Sequence, residues 1–367
     1  MNDHVRMRIT IIVPTYREAD AISALVQAVD AVMKQHHLDY GLLVVDDNSP
    51  DDITARIDVL ADHYPVSLIQ AGDRERDLSL SVLEGIRHSK TDHVLIMDAD
   101  LSHPPEMIPA MVRALEADES CFVIGSRYLA DGSFDRAWSL WRFLNSHVAT
   151  FMAKPLSACT DPMSGFFAFN RSKVDLDSLN PIGYKIGLEL LVRGNFSNIQ
   201  ELAINFRDRT VGESKMNLKQ QWKYLRHLRR LYMYRFRGWT ELVHYGAVGV
   251  SGFAVDITCY YALQILGLDH QIARAASFWP AVSWNWGLNR VTTFGERARR
   301  PKARQWVEFV CASLVGFSMN WGIYYLLTSN SSFFDSHRLV ALIAGILGAS
   351  LFNFTAATLF VYSKKRS

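Results

Sequence analysis

Two carboxylates one residue apart, Asp98 and Asp100, close the apolar run of "VLIMDADLSHPPE" (94–106). Side chains at i and i+2 of an extended strand project to the same side, so the pair aims its oxygens at one spot. Hard oxygen donors suit Mg2+ or Mn2+, ions that bridge the two phosphates of a nucleotide sugar and offset the charge gathering on a departing diphosphate. The two prolines of "LSHPPE" can open the next helix. A D-x-D triplet alone is a weak signal that also occurs as a helix cap, so its weight depends on the elements that position it.

From about residue 8 to 210, short β-branched runs alternate with helix-length amphipathic segments. The candidate strands are "RITIIVPT", "YGLLVVDD", "VSLIQ", "HVLIMDAD", "CFVIGSRY", "GFFAFNR" and "QELAINFRDR", with helical stretches at 19–36, 52–62 and 77–88 between the early ones. This alternation predicts an α/β domain with a mostly parallel sheet covered on both faces. Ligands of such sheets gather at the carboxyl ends of the strands. Three strands end there in polar clusters: Thr15-Tyr16-Arg17-Glu18, Asp46-Asp47-Asn48-Ser49, and Asp98 with Asp100. No G-x-G-x-x-G follows the first strand and no G-x-x-x-x-G-K-[ST] occurs, so nucleotide phosphates must be held another way. A metal on the Asp98/Asp100 pair would do it.

The 367 residues carry a net charge of +2, which gives no global bias toward nucleic acid, and their length fits two to three domains. The 49% hydrophobic content is uneven, with the long apolar stretches in the last third. Cys121, Cys159, Cys259 and Cys311 are scattered, without a C-x-x-C pair, and read as reduced packing residues. The hydrophobic run near the start is too short for a signal sequence and is broken by Pro14, so the amino-terminal part is expected in the cytoplasm.

Residues 214–237 hold eight Lys or Arg and no acid, with Leu218, Trp222, Leu225, Tyr232 and Phe236 at roughly helical spacing. Such a basic amphipathic helix suits an anionic bilayer surface, and also a solvated helix or a nucleic-acid patch. Four apolar stretches follow, at about 242–266, 272–290, 307–327 and 339–362, and favour the bilayer over nucleic acid. Each approaches or exceeds the roughly 20 residues a span needs. The second is weakest, diluted by Arg274, Asn285, Asn289 and Arg290. Basic residues crowd before the first stretch, in "GERARRPKAR" and in the tail "SKKRS", while "GLDHQ" and "SNSSFFDSH" are poor in them. Four spans would put those basic segments, the catalytic domain and both termini on the cytoplasmic side. Asp256 is a functional candidate because a carboxylate in hydrocarbon is costly, and pairing inside the bundle explains it equally well. "GAVGVSG" (246–252) reads as close helix packing.

The blocks "IIVPTYREAD", "LLVVDDNSPDD", "IMDADLSHPPEMIP", "IGSRYLADG", "DPMSGFFAFNR", "PIGYKIGLELLVRG" and "INFRDRTVGESK" resemble, in order across about 8–216, the polyprenyl-phosphate (dolichol-phosphate) mannose synthases of glycosyltransferase family 2. The remainder resembles the GtrA-like four-helix membrane domain fused to some members. The resemblance implies a GT-A (Rossmann-like) catalytic domain at 1–213, a basic interfacial helix at 214–238 and a four-span domain at 239–367. It implies inverting transfer of mannose from GDP-mannose to a polyprenyl phosphate, with Mg2+ or Mn2+ as cofactor and the lipid bilayer as a partner. By the same resemblance Pro14, Tyr16, Glu18, Val45, Asp47 and Asp98 match nucleotide contacts, and Asp98, Asp100 and Ser102 match the metal and diphosphate ligands. Arg127, Arg142, Ser146 and Arg209 match positions that hold the lipid phosphate and donor diphosphate, and Lys215 stands where a loop could be ordered over the site. Guanidinium forks suit phosphate oxygens. A phosphate monoester is already anionic at neutral pH, which accounts for the lack of an evident Ser-His-Asp or Cys-His set.

One departure concerns Asp77 in "RERDLSLSVLEG", which stands where the family usually has glycine and puts a charge near the donor pocket. Competing readings are UDP-glucose as donor, and a lipid-sugar flippase or scaffold with an inactive transferase domain, which an intact carboxylate pair disfavours. A processive polysaccharide synthase is disfavoured because "QQWKY" lacks the Arg of Q-x-x-R-W.

Overall fold

A computed structural model describes residues 8–72, 76–129, 133–134, 140–206, 218–297 and 300–363, with backbone only at 133–134, 140–146 and 218–219. The chain forms two compact units, Met1–Arg235 and Phe236–Ser367.

The first unit alternates as the apolar runs require. Its strands are β1 (Arg8–Thr15), β2 (Asp39–Asp46), β3 (Val66–Gln70), β4 (His93–Ile96), β5 (Cys121–Ser126), β6 (Ser133–Phe134), β7 (Phe167–Asn170), β8 (Asn198–Ala203) and β9 (Asn205–Phe206). Its helices are α1 (Ala19–Gln35), α2 (Ile53–Ala61), α3 (Leu78–His88), α4 (Ile108–Ala117), α5 (Leu140–Ala153), α6 (Ile186–Arg193) and α7 (Leu218–Arg235). Seven strands make one sheet in the order β3-β2-β1-β4-β7-β5-β8, parallel except for β7. β6 and β9 form a separate parallel pair.

Both faces of the sheet are buried along β1, β2, β4, β5 and β7, which is why these strands read as unbroken apolar runs, while the edge strands β3 and β8 stay partly exposed. On one face Ile9, Ile11 and Val13 of β1 pack with Ile22 and Leu25 of α1 and Met111 and Leu115 of α4. On the other, Ile12 packs with Val82 and Ile86 of α3 and Leu190 of α6. A fully buried aliphatic side chain contributes about 1.5–3 kcal/mol, so this double core fixes where the strand ends lie.

The basic helix α7 belongs to the first unit and has two working faces. Leu228 and Leu231 are buried in a cluster with Ala153, Leu188 and Val192. His227 Nε2 lies 2.9 Å from Glu189 Oε2, both side chains almost fully buried, and the Tyr224 hydroxyl donates to the Ala149 carbonyl at 2.7 Å. Trp222, Leu225 and Phe236, part of the stripe picked out in the sequence, stay exposed. The helix docks mainly through residues outside the apolar stripe, and of the stripe only Tyr232 joins that face among the described side chains, donating from its hydroxyl to the Met152 carbonyl at 2.8 Å.

The second unit contains α8 (Arg237–Ile265), α9 (His270–Leu288), α10 (Lys302–Asn330), α11 (Ser332–Ser336) and α12 (Arg338–Ala356). α9 and α12 each run into a five-residue π-helical turn, Asn289–Thr293 and Ala357–Val361. α8 packs chiefly on α9, and α10 on α12. Among the described residues three helices, Arg237–Ile265, Lys302–Asn330 and Arg338–Val361, are long and apolar enough to cross a membrane. α9 is not among them, since Arg274, Pro280 and Asn285 lower its hydropathy. Asp256 on α8 binds the Arg274 guanidinium and accepts from the Ser277 hydroxyl at 2.7 Å, so its charge is balanced within the α8–α9 pair. All four cysteines are free.

Candidate active site

The carboxyl ends of β1, β2 and β4 meet at one edge of the sheet. The backbone just beyond each bends sharply: Arg17, Asn48 and Leu101 have φ of 60°, 55° and 57°. Non-glycine residues in this left-handed region cluster at functional loops, where the surrounding structure holds them.

Behind β1 and β2 the loops lock one another. Asp46 accepts the Ser49 N–H at 2.8 Å and the Ser49 hydroxyl, while the Ser49 hydroxyl accepts the Arg17 N–H at 2.9 Å. Asp51 accepts the Ala19 N–H at 3.1 Å, capping α1 rather than its own helix. Asp47 is buried, and its N–H extends the ladder to the Thr15 carbonyl at 3.0 Å. Pro14 and Val45 are buried strand partners, with Val45 facing the core. Glu18 occupies the position before α1 without capping it through its side chain. One face of the Tyr16 ring carries the Arg76 guanidinium, 3.9 Å from the centroid.

β4 ends at Ile96, so Asp98 and Asp100 lie in a turn after the strand, and turn geometry rather than strand alternation sets their spacing. His103 holds this turn: its Nδ1 accepts the Asp98 N–H at 3.0 Å, which puts its proton on Nε2, 3.9 Å from Asp98 Oδ2. The ring is buried and stacks on Phe166 at 5.2 Å. Asp100 Oδ1 accepts the Ser102 N–H at 3.1 Å. The Ser102 hydroxyl is buried and has no hydrogen-bond partner among the described residues. A buried orphan hydroxyl beside two carboxylates is a donor set fit for a hard divalent cation or a diphosphate oxygen. Among the described residues no group of three or more His, Cys, Asp or Glu is placed to hold a metal ion.

Cations lie nearby. Arg127, at the end of β5, grips the buried Asp161 through Nε at 2.7 Å and Nη2 at 2.9 Å, and its N–H also donates to Asp161. Part of its fork is thus committed to holding the arginine in place. Lys185 donates to the Met163 carbonyl at 2.9 Å. Burial, followed by repulsion from Arg127, lowers the Lys185 ammonium to about 8 against the pull of Asp161 and Asp98. Arg142 and Ser146 lie on α5, where only the backbone is described, and Arg209 and Lys215 lie outside the described residues.

Asp77 is tied down rather than loose. Its Oδ1 caps α3 through the Ser79 N–H at 3.0 Å, its Oδ2 accepts the Gly183 N–H at 2.9 Å, and Lys223 of α7 stands 3.7 Å away. Gly183, with φ +84, takes the bend that brings its N–H there. The charge that replaces the usual glycine is spent on joining α3, the loop before α6 and α7.

His103, Asp161 and Lys185 were not picked out individually in the sequence, although each lies in a quoted block. Asp161 carried a readable signal, as an acid before Pro162 and just ahead of the apolar β7. His103 and Lys185 gained meaning only through the long-range contacts that bury them.

The comparison with known proteins agrees with this geometry. Residues 10–176 match the model of glycosyl transferase family 2, and 244–362 match the GtrA/DPMS transmembrane domain. A dolichol-phosphate mannosyltransferase of Pyrococcus furiosus is 33% identical over 349 residues, covering 93% of this chain and 95% of that protein. Dolichol-phosphate mannosyltransferases of Mycosarcoma maydis and Saccharomyces cerevisiae are each 36% identical, covering 62% of this chain and 80% and 88% of theirs. A sheet edge with an intact carboxylate pair, followed by apolar helices, is what these matches lead one to expect, and the chain belongs to glycosyltransferase family 2, among the dolichol-phosphate mannosyltransferases that carry a GtrA/DPMS transmembrane domain.

Proposed function

We propose that the chain transfers mannose from GDP-mannose to a polyprenyl phosphate, with inversion at the anomeric carbon, on the cytoplasmic side of a membrane. The observation that carries this reading is the post-β4 turn, where Asp98, Asp100 and the orphan Ser102 hydroxyl stand together at the sheet edge. These three residues would hold Mg2+ or Mn2+, whose charge offsets that of the leaving diphosphate. His103 keeps the Asp98 carboxylate aimed by fixing its backbone and packing beside it. Asp47, with Tyr16, Glu18 and the backbone of Pro14 and Val45, would receive the nucleoside. Arg127, held by Asp161, would present its remaining N–H groups to phosphate oxygens, with Arg142, Ser146, Arg209 and Lys215 completing the acceptor side. The acceptor phosphate needs no general base, so the protein's contribution is positioning and electrostatics. The exposed apolar edge of α7 would rest on the bilayer, with four helices, α9 included, crossing it and both termini in the cytoplasm.

The test is purified full-length protein with a polyprenyl phosphate, divalent metal and either labelled GDP-mannose or labelled UDP-glucose. Lipid labelled from GDP-mannose by the wild type, and about 100-fold less by Asp100→Ala, supports the reading. Label only from UDP-glucose overturns the donor, and equal label by the variant overturns the metal site.

A further inference from the structure

The membrane-domain helices repeat themselves. Gly252, Phe253, Tyr260 and Tyr261 of α8 recur as Gly316, Phe317, Tyr324 and Tyr325 of α10. The contacts recur with the letters. A Cβ on Gly252 would lie 2.1 Å from Asn285 Oδ1, and one on Gly316 would lie 2.1 Å from Asn353 Oδ1. Asp256 meets Ser277 in the first pair, and the corresponding Asn320 meets Gly345 in the second. Each pair ends in a π-helical turn of five residues, and the rings that follow, Phe294 and Tyr362, stack on each other with centroids 4.4 Å apart. Equivalent residues that touch lie on a pseudo-two-fold axis. α8–α9 and α10–α12 are therefore two copies of one hairpin, a parallel repeat.

A cavity of about 280 Å3 sits between the copies. It is lined by the equivalent pairs Tyr245 with Phe309, Val282 with Ser350, and Asn285 with Asn353. Two polar groups come from the first copy alone, Asp256 and Asn289. Asn289 is 1% exposed, and its Oδ1 has no hydrogen-bond partner among the described residues. A buried carbonyl oxygen left unpaired costs about 1–3 kcal/mol, a penalty that a ligand hydroxyl would remove.

The lining selects the ligand's chemistry. Among the described residues no lysine or arginine lines the cavity, and a carboxylate does, so a phosphate is disfavoured. Asp256 is already balanced by Arg274 and Ser277, so a free cation gains little there. What remains is the amides of Asn285, Asn289 and Asn353 and the hydroxyls of Ser313 and Ser350 between aromatic walls, suited to a neutral group with hydroxyls around an apolar ring face. The volume, about 280 Å3 and just below the ~300–1,000 Å3 of small-molecule sites, limits the ligand to one six-membered sugar ring.

We propose that the cavity between the two hairpins is a binding site for a single neutral sugar ring, recognised by Asn285, Asn289 and Asn353. The site rests on the membrane helices alone and does not depend on which donor the transferase unit uses.

Full-length protein in lipid nanodiscs is photolabelled with an octyl mannoside carrying a diazirine next to the sugar, and the labelled peptide is located by mass spectrometry. Label is expected on 278–289 or 350–353, displaced by methyl mannoside but not by octyl phosphate. Asn289→Leu removes the orphan amide and Ser350→Phe fills the space from the opposite side, and each is expected to cut this label at least tenfold while the protein stays monodisperse and keeps its transferase activity. Stronger displacement by polyprenyl-phosphate mannose than by methyl mannoside would make the ligand a lipid-linked sugar, and the reverse a free one. Label unchanged in both variants, or displaced equally by octyl phosphate, overturns the site. An error in the donor assignment would change labelling only within residues 8–206.

Discussion

Asp161 shows how much a single buried residue does at this edge. It is fully buried and takes three N–H groups of Arg127, so the guanidinium is fixed before any phosphate arrives. Asp161→Asn keeps the shape but leaves a buried arginine without its counter-charge, a loss on the order of 3 kcal/mol. A calorimetric melt should show the lower Tm, and steady-state transfer should show kcat falling more than the acceptor KM rises. A melt unchanged from wild type would mean that Arg127 is held by something else. Glu189 gives the matching pH dependence. Burial disfavours its charged form, but His227, the Asn180 N–H and Arg193 outweigh it and hold the carboxyl below its ordinary 4.5. Because the folded value is the lower one, the stabilisation is complete above pH 4.5 and is lost as the pH falls toward the folded value. Glu189→Gln should flatten the acid limb of a urea-midpoint-against-pH curve, and an unchanged limb would count against the pair.

Elements, more than residues, were legible in the sequence. The apolar runs that became β1, β2, β4, β5 and β7 were readable because strands buried on both faces demand continuous apolar stretches, whereas the edge strands β3 and β8 were read from shorter, half-exposed segments. The helices between them matched to within a residue or two, since amphipathic period and chain punctuation agree there. What the pattern could not supply was the turn after Ile96, because the strand's end depends on where β1 stops offering partners. Nor did it give the docking face of α7, where His227 and Tyr224 look polar and become interior only against Glu189 and Ala149. Two changes test these elements. A Cβ at Gly85 would fall 2.4 Å from Ile12 Cγ2, so Gly85→Ala should overpack α3 against β1 by about 1–3 kcal/mol, read as a lower denaturation midpoint. Asp77→Ala removes the α3 cap and the link to Gly183, and should cost about 1 kcal/mol with faster amide exchange at Ser79 and Gly183. Unchanged exchange at both amides would show the cap to be idle.

At the scale of the whole molecule, composition divided the chain into a charged first part and an apolar last part, and contacts divide it between Arg235 and Phe236. The repeat between α8–α9 and α10–α12 stayed hidden because few identities survive, and the matching contacts are what reveal it. The crossing of α9 has a direct test: with single cysteines in an otherwise cysteine-free chain, Leu268→Cys and Glu296→Cys should react with an impermeant reagent from opposite sides of a sealed vesicle. Reaction from the same side would give three spans. The central claim, a divalent cation held by Asp98 and Asp100 against a nucleotide diphosphate, is tested most directly by Mn2+ electron paramagnetic resonance on the full-length protein with GDP present. The account predicts a nucleotide-dependent Mn2+ site that weakens at least tenfold in Asp98→Ala and in Asp100→Ala, whereas Mn2+ binding of wild-type strength in both variants would contradict it.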